Sequence, residues 1–353
     1  AALVARGLAA AGTAVTLARG GHPVPGVDYG PAAVVQLPPV RAADGSFKVL
    51  LDENGTPIDD AWRDRRRAAA LEALESVAPD VLLVESFPFA RRAFRFELIP
   101  LLQAARARGV RTAVSVRDIL VTKPDPARLD EVVDTVTRFV DRVLVHGDPD
   151  LIPFGATFPA ADRIADRIVY TGYVAAPPPA VADGADGRDE VVVSVGGGAV
   201  GMPLLRAALG ARPLSAARGG GWRLLAGPDV SDSDLAALAA DAPPGVVVER
   251  ARRDFPALLA RCRLSVSQAG YNTVMDLLQA GCRSVVVPFA AGGETEQATR
   301  ARLLAGRGRL TVVDEATLSP ATLAAGIDAA LAAPEPAPLP MALDGAAQTA
   351  RIM

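Results

Sequence analysis

Histidine and cysteine are scarce in this 353-residue chain: two of each, His22 and His146, Cys262 and Cys282. The cysteines have no CxxC spacing, which argues against a disulfide framework or a His/Cys zinc site and leaves two small buried hydrophobes in a reducing cytosol. Half the residues are hydrophobic, yet no apolar run approaches the ~18 needed to span a bilayer, so a soluble cytoplasmic protein is expected. A formal net charge of −3 and a pI near 5.6 supply no cationic surface, so no nucleic-acid partner is expected. No signal or transit segment, no short-period repeat, and no Asp-x-Asp motif suited to a metal-bridged diphosphate stands out. The start is incomplete as a fold. Residues Ala1–Ala11 read as an amphipathic helix ending at Gly12 and Ala14–Ala18 as the next strand, so the chain opens inside a β-α-β unit. With no initiator Met either, residues upstream of Ala1 are expected, including the first strand of a buried parallel sheet.

What is present is an alternation of strands and helices. In the first half strands are expected near Ala14–Ala18, Ala33–Gln36, Val81–Val84, Thr112–Val116 and Arg142–Val145, with helices near Asp60–Val77, Phe96–Ala107 and Arg128–Phe139. After Tyr173 comes a stretch rich in Pro, Ala, Gly and Asp, and a second alternation then runs from Val191 to Leu331. This is the rhythm of an α/β fold with two Rossmann-like, doubly wound parallel-sheet domains facing a cleft. The expected division is 1–172, a linker 173–190, a second domain 191–333, and a Pro-rich joint with terminal segment 334–353.

The stretch from Ser265 to Ala301 is the most informative. Leu264–Val266 reads as a strand, Gln268-Ala269-Gly270 as a tight turn, and Tyr271–Ala280 as a helix whose Gly281 suits the left-handed position after its end. Ser284–Phe289 reads as a buried parallel strand, followed by a loop through Glu294, Glu296 and Gln297. On a helical wheel Val274, Leu277 and Leu278 share the core face, while Asn272 and Asp276 lie opposite. Turn, Asp276 and loop therefore converge at one sheet edge, where open α/β sheets bind ligands and a helix N-terminus favours phosphate. The plain alternative makes Asp276 a first-turn carboxylate complementing the helix dipole, and Glu294 and Glu296 solvated loop charges.

This segment resembles the donor-binding signature of the two-domain nucleotide-sugar glycosyltransferases of the GT-B fold, and most of all those of family 28. The resemblance rests on Gln268-Ala269-Gly270, Asp276, Pro288-Phe289 and Glu296-Gln297, and covers about the C-terminal half. It implies that Asp276 meets the ribose hydroxyls and that Gln297 meets the sugar. It also implies that the terminal segment crosses back onto the first domain, and that a catalytic base lies in a Gly-rich loop upstream of Ala1. Asp stands where family members often have Glu, and the sugar loop is about one residue longer.

Three further features need placing. Gly196-Gly197-Gly198-Ala199-Val200-Gly201 follows a strand and precedes a helix, as a dinucleotide fingerprint would. The acidic residue that should follow, Asp229, comes roughly 30 residues after the first Gly against an expected ~20. No Lys-Ser/Thr follows the glycines, so this is no P-loop; a diphosphate cradle or a tight turn are the other readings. Arg250, closing strand Val246–Val248, is a candidate phosphate ligand or a solvated Arg. In the first half, Glu85, Arg117, Asp118 and His146 stand at strand exits, the expected acceptor side. His146 is a candidate base, or a strand-end residue held by its turn. Phe87, Phe89, Phe94 and Phe96, with Arg91, Arg92 and Arg95, either grip a lipid-linked acceptor at a membrane surface or form core and solvated face.

The expectation is a glycosyltransferase that moves a sugar from a nucleotide diphosphate sugar, UDP-linked, to an unidentified acceptor hydroxyl. It needs no cofactor and no metal, and has possible peripheral membrane contact. A UDP-sugar 2-epimerase of the same fold and a non-catalytic nucleotide-sugar-binding protein are the alternatives.

Overall fold

The computed structural model describes residues 1–23, 27–43, 49–120, 125–176, 184, 186–196, 201–228, 230–290, 295–337 and 341–353. The chain divides into two compact units, Ala1–Ala175 with Met341–Met353, and Ala176–Pro340.

In the first unit the elements run α1 (Ala2–Ala10), β1 (Thr16–Arg19), β2 (Ala33–Gln36), β3 (Arg41–Ala42), β4 (Leu50–Leu51), α2 (Asp60–Val77), β5 (Val81–Glu85), α3 (Arg95–Ala107), β6 (Arg111–Arg117), α4 (Pro126–Phe139), β7 (Arg142–His146) and β8 (Ile168–Tyr170). Strands β5-β6-β7-β8 pair in that order, all parallel. The expected single doubly wound sheet is not what the described residues form: β1 and β2 make a separate parallel pair and β3 and β4 an antiparallel one, with no ladder joining β1 to β5. Local chemistry sets the helix starts. Asp59 accepts from the Trp62 N–H at 2.7 Å to open α2, and Asp125 caps α4 with Pro126 at its first position.

The core of this unit holds a buried bidentate ion pair. Arg66 Nε lies 2.5 Å from Glu97 Oε2 and Nη2 3.0 Å from Oε1, while Nη1 donates to the carbonyls of Gly20 and Pro38. A Cβ on Gly20 would come within 2.3 Å of this guanidinium, so the loop after β1 needs glycine there. The terminal helix Gly345–Ile352 belongs to the same unit. Tyr173 N–H donates to Ala342 O at 2.7 Å and Gly345 N–H to Tyr173 O at 3.0 Å. Gly7 of α1 faces Ala346 so closely that an added Cβ would stand 2.8 Å from its carbonyl.

The second unit follows β9 (Val191–Ser194), α5 (Met202–Ala211), β10 (Trp222–Ala226), α6 (Asp232–Ala240), β11 (Val246–Arg250), α7 (Phe255–Leu259), β12 (Leu264–Ser267), α8 (Tyr271–Ala280), β13 (Ser284–Val286), α9 (Glu296–Ala305), β14 (Thr311–Val312) and α10 (Pro320–Ala332). Its six strands are all parallel, in the order β11-β10-β9-β12-β13-β14. Val191, Val193, Leu224, Leu264, Val266 and Val285 pack with Leu205, Leu323 and Ile327 in one core, each such side chain worth about 1.5–3 kcal/mol on burial. At one flank Arg223, only 4% exposed, is bound by Glu190 and Glu249 at 2.7 Å each and by Asp186 at 3.1 Å.

Among the described residues no helix is long and apolar enough to cross a membrane.

Candidate functional site

The strand order of the second unit locates its site. From β9 the chain builds outward through β10 to β11, then returns to place β12 on the other flank of β9. The direction of winding therefore reverses between β9 and β12. At such a switch point the exit loops diverge and open a crevice at the carboxyl edge, where α/β sheets bind ligands.

Two loops leave the sheet there. β9 continues into Gly196, whose N–H donates to Gln268 Oε1 at 3.3 Å, so the two exits are tied together. Gly227, at the end of β10, lets the backbones close in: a Cβ on it would lie 2.3 Å from Gly196 O. Nothing local in the sequence marks this requirement, because Gly196 lies 31 residues earlier in the chain. Gly197 and Gly198 lie outside the described residues, as does Asp229.

β12 ends in the turn Gln268-Ala269-Gly270, and α8 starts with no side-chain cap. The N–H groups of Tyr271, Asn272 and Thr273 therefore have no intrahelical acceptor and carry the positive end of the helix dipole. By contrast α6 is capped by Ser231, and α10 by a reciprocal Ser319–Thr322 box. Gly270 has an ordinary φ of −63°, and an added Cβ would meet none of the described residues within 4 Å. Among the described residues neither backbone strain nor packing asks for glycine there, at the position that precedes the first turn of α8. At the far end Gly281 takes φ 63° and closes α8, the left-handed conformation expected of it.

Asp276 sits half-buried one turn into α8, not on a fully solvated face, and Met275 beside it is buried in addition to Val274 and Leu277. Burial pushes its carboxyl up to about 6, and no hydrogen bond acts to lower it. Among the described residues the carboxylate has no donor. Asn272, on the same face, is exposed.

Gln297 and Arg300 reach the turn from α9. Gln297 Oε1 accepts from the N–H of Ala269 at 3.0 Å and of Phe289 at 3.1 Å. Because both partners are donors, the carboxamide orientation is fixed, and its NH2 group points away from them. Arg300 Nη2 binds Glu296 Oε1 at 2.8 Å. Arg250 turns onto the loop after β10: its Nη1 donates to Gly227 O at 3.2 Å and to Val230 O, and its Nη2 binds Asp232. The guanidinium thus shapes the loop beside the crevice.

In the first unit the residues at strand exits are mostly engaged by their own loops. Glu85 is exposed and pairs with Arg91 at 3.5 Å; Arg117 is exposed; Asp118 is buried and accepts from the Ile119 N–H at 2.9 Å. His146 is buried between Ser115 Oγ, 2.7 Å from Nε2, and Thr171 Oγ1, 2.8 Å from Nδ1. Thr171 spends its proton on the Gly172 carbonyl at 2.8 Å. It therefore accepts from Nδ1–H, and Nε2 accepts from Ser115. Burial lowers the imidazole to about 4 against an opposing pull from Glu85, so it is neutral at pH 7. This is a histidine held at its strand end by both nitrogens.

The aromatic residues beside it are core. Phe87 and Phe89 are buried, and Phe89 packs edge-on against Phe154 and Phe158 at 5.4 and 5.1 Å between centroids. Phe94 and Phe96 pack against Val40, Leu50 and Trp62, while Arg92 and Arg95 both pair with Glu131. Of the two readings open for this run, core with a solvated basic face is the one the described residues form. A cavity of about 500 Å³ lined by Val81, Arg111, Asp141, Arg142 and Met353 opens at the amino ends of β5, β6 and β7, the edge away from these exits.

Comparison with known proteins agrees with the geometry. Residues 192–351 match the glycosyltransferase family 28 C-terminal domain. A UDP-N-acetylglucosamine–N-acetylmuramyl-(pentapeptide) pyrophosphoryl-undecaprenol N-acetylglucosamine transferase of Rhodospirillum centenum is 37% identical over 95 residues, 27% of this chain and 24% of that protein. The Ralstonia nicotianae protein of the same name is 37% identical over 71 residues, 20% of each chain. The chain thus spans about a quarter or less of the length of these relatives. Among solved structures, the calicheamicin glycosyltransferase CalG4 superposes with a TM-score of 0.61 at 17% identity, covering 99% of this chain and 89% of that one. MurG of Acinetobacter baumannii superposes with a TM-score of 0.58 at 15% identity, covering 99% and 90%. The spinosyn rhamnosyltransferase SpnG complexed with thymidine diphosphate gives 0.61 at 18% identity, with 99% and 90% covered. The chain therefore has the α/β fold of the GT-B glycosyltransferases, two units each with a parallel sheet, and over residues 192–351 it resembles family 28.

Proposed function

We propose that the protein is a glycosyltransferase whose second unit binds a nucleotide diphosphate sugar at the β9–β12 switch point. The observation that carries this reading is the pairing, among the described residues, of an α8 N-terminus without a side-chain cap and with space beside Gly270, and a half-buried carboxylate at Asp276 that has no donor. The first suits a diphosphate, the second a pair of ribose hydroxyls. Their separation of one helical turn suits one nucleotide spanning both.

The chemistry follows from charge. An acceptor hydroxyl loses its proton to a base, its oxygen bonds to the anomeric carbon, and the bond from that carbon to the diphosphate oxygen breaks, with the electron pair leaving on the nucleotide diphosphate. The N–H groups of Asn272 and Thr273, which have no intrahelical acceptor, are preorganised donors for that developing charge. The amide NH2 of Gln297, directed away from Ala269 and Phe289, is available to a sugar oxygen. His146 is committed to Ser115 and Thr171, so the base is another group.

The sequence relatives are named for a UDP-linked donor and an undecaprenol-linked acceptor, and from them we take a UDP-sugar as donor and a lipid-linked hydroxyl compound as acceptor, met from the cytoplasmic side. The thymidine diphosphate named with a structural relative makes dTDP-sugars the rival class. Thermal-shift screening of UDP- and dTDP-sugars tests the reading: a ligand at 100 times its Kd adds about 2.7 kcal/mol of stability. Stabilisation by UDP-sugars alone is expected. A response confined to dTDP-sugars would reverse the base assignment, and none to either series would overturn the function.

A further inference from the structure

We propose that Arg300 is a positioning residue of the donor site, holding from behind the turn that receives the diphosphate; this rests on the function proposed above. Arg300 is fully buried at 0% exposure on α9. Among the described residues, a carbonyl, a carboxylate and an aromatic ring meet its guanidinium. Nη1 donates to Ala269 O at 3.3 Å, Nη2 to Glu296 Oε1 at 2.8 Å, and its central carbon lies 5.4 Å from the centroid of the Tyr271 ring. Ala269 is the middle of the turn, and Tyr271 is the first residue of α8. Gln297, three residues before Arg300, takes the Ala269 N–H. Both backbone polar groups of Ala269 are thus held by α9, which leaves Gly270 and the first N–H groups of α8 as the face the turn presents to a ligand.

Burying a guanidinium costs several kcal/mol of hydration even when it is paired, and an aliphatic residue would pack the same space. What arginine supplies is geometry. Its planar fork can place one branch on a carbonyl, another on a carboxylate, and its face on an aromatic ring, whereas lysine offers a single point charge. With the fork gone, Glu296 and the turn are no longer fixed to each other, and the diphosphate N–H donors lose registration with the sugar loop. Asp276 is not part of this linkage, so recognition of the nucleoside should survive.

The test is calorimetric titration of wild type, Arg300→Lys and Arg300→Met with UMP, UDP and UDP-N-acetylglucosamine, and folding checked by circular dichroism. Arg300→Lys keeps a cation for Glu296 and so remains informative should Arg300→Met fail to fold. The expected result is a loss of about tenfold or more in affinity for UDP and UDP-N-acetylglucosamine, with UMP affinity within about threefold of wild type, in both variants. Full recovery in Arg300→Lys would mean that only charge matters, and equal losses for all three ligands would mean a general structural role; either overturns this inference alone. Failure of wild type to bind any of the three would overturn the proposed UDP-sugar site, and this inference with it.

Discussion

Replacing Asp276 by Asn should make the protein more stable and its nucleotide binding weaker. The carboxyl is held at about 6 by burial against an ordinary 3.8, so its ionised form is disfavoured by the fold. The full shift corresponds to about 3 kcal/mol at 1.4 kcal/mol per unit. For a half-buried group screened by solvent, about 1–2 kcal/mol is a fairer magnitude. The sign follows from the raised value. Relative to the unfolded chain the folded state holds this proton more tightly, so its contribution is favourable at acid pH and is lost as pH rises through about 6. Asparagine removes the ionised form. The variant should therefore gain stability at pH 8, as a rise of about 2–8 °C in Tm, and gain almost nothing near pH 4. Its affinity for UDP should fall by about 10- to 150-fold, the worth of a hydrogen bond to a charged group. Paired denaturation and calorimetry at pH 8 measure both. An Asn variant that loses stability at pH 8 would refute the burial argument, and one that binds UDP as wild type does would refute the ribose assignment.

Three further outcomes are expected. Because the ligand-competent form of Asp276 is ionised, wild-type affinity for UDP should be flat above about pH 7 and fall about tenfold per unit well below pH 6; a flat isotherm series from pH 8 to 5 would contradict this. Gly270→Ala should leave Tm within about 1 °C, since its φ of −63° is ordinary and a Cβ meets none of the described residues within 4 Å, but should weaken UDP binding about tenfold or more by occupying the space over the helix end; unchanged affinity would remove the turn from the site. Glu97→Ala strands the buried Arg66 guanidinium and should cost the first unit about 3–5 kcal/mol in urea denaturation, against less than about 0.5 kcal/mol if the pair were a surface one.

The β12-α8-β13 segment was legible in the sequence because each signal in it is local. The 3.6-residue apolar period and Gly281 fix α8, and the bounds Tyr271–Ala280 coincide in both. The same locality explains what was missed. A helical wheel places Asp276 opposite Val274 but cannot show that Met275 is also covered, and it is that half-burial which raises the carboxyl. Gln297 was assigned to the sugar, whereas its carbonyl oxygen is held by two N–H groups brought together only by folding, leaving its NH2 for a ligand. The sequence leaves Arg250 open between a phosphate ligand and a solvated arginine because its partners, Gly227, Val230 and Asp232, lie about twenty residues earlier in the chain. The reversal of strand order between β9 and β12 is a fact about pairing, and hydrophobic runs carry no record of which strand lies beside which. In the first unit the aromatic run 87–96 was ambiguous for a similar reason: its packing partners Phe154 and Phe158 are more than fifty residues away. Short strands β3 and β4, two residues each, fall below any periodic signal.

The central claim is that a nucleotide diphosphate sits on the loops leaving β9 and β12, with its diphosphate on the α8 N-terminus. Amide hydrogen exchange with and without saturating UDP tests it most directly, since the N–H groups of Asn272 and Thr273 have no intrahelical acceptor and a bound diphosphate would supply one. Protection confined within the second unit to peptides spanning 194–196, 267–276 and 289–297 is the predicted result. Unchanged exchange across 267–276 at saturating UDP, or protection centred instead on the Arg223 flank or β14, would contradict the account.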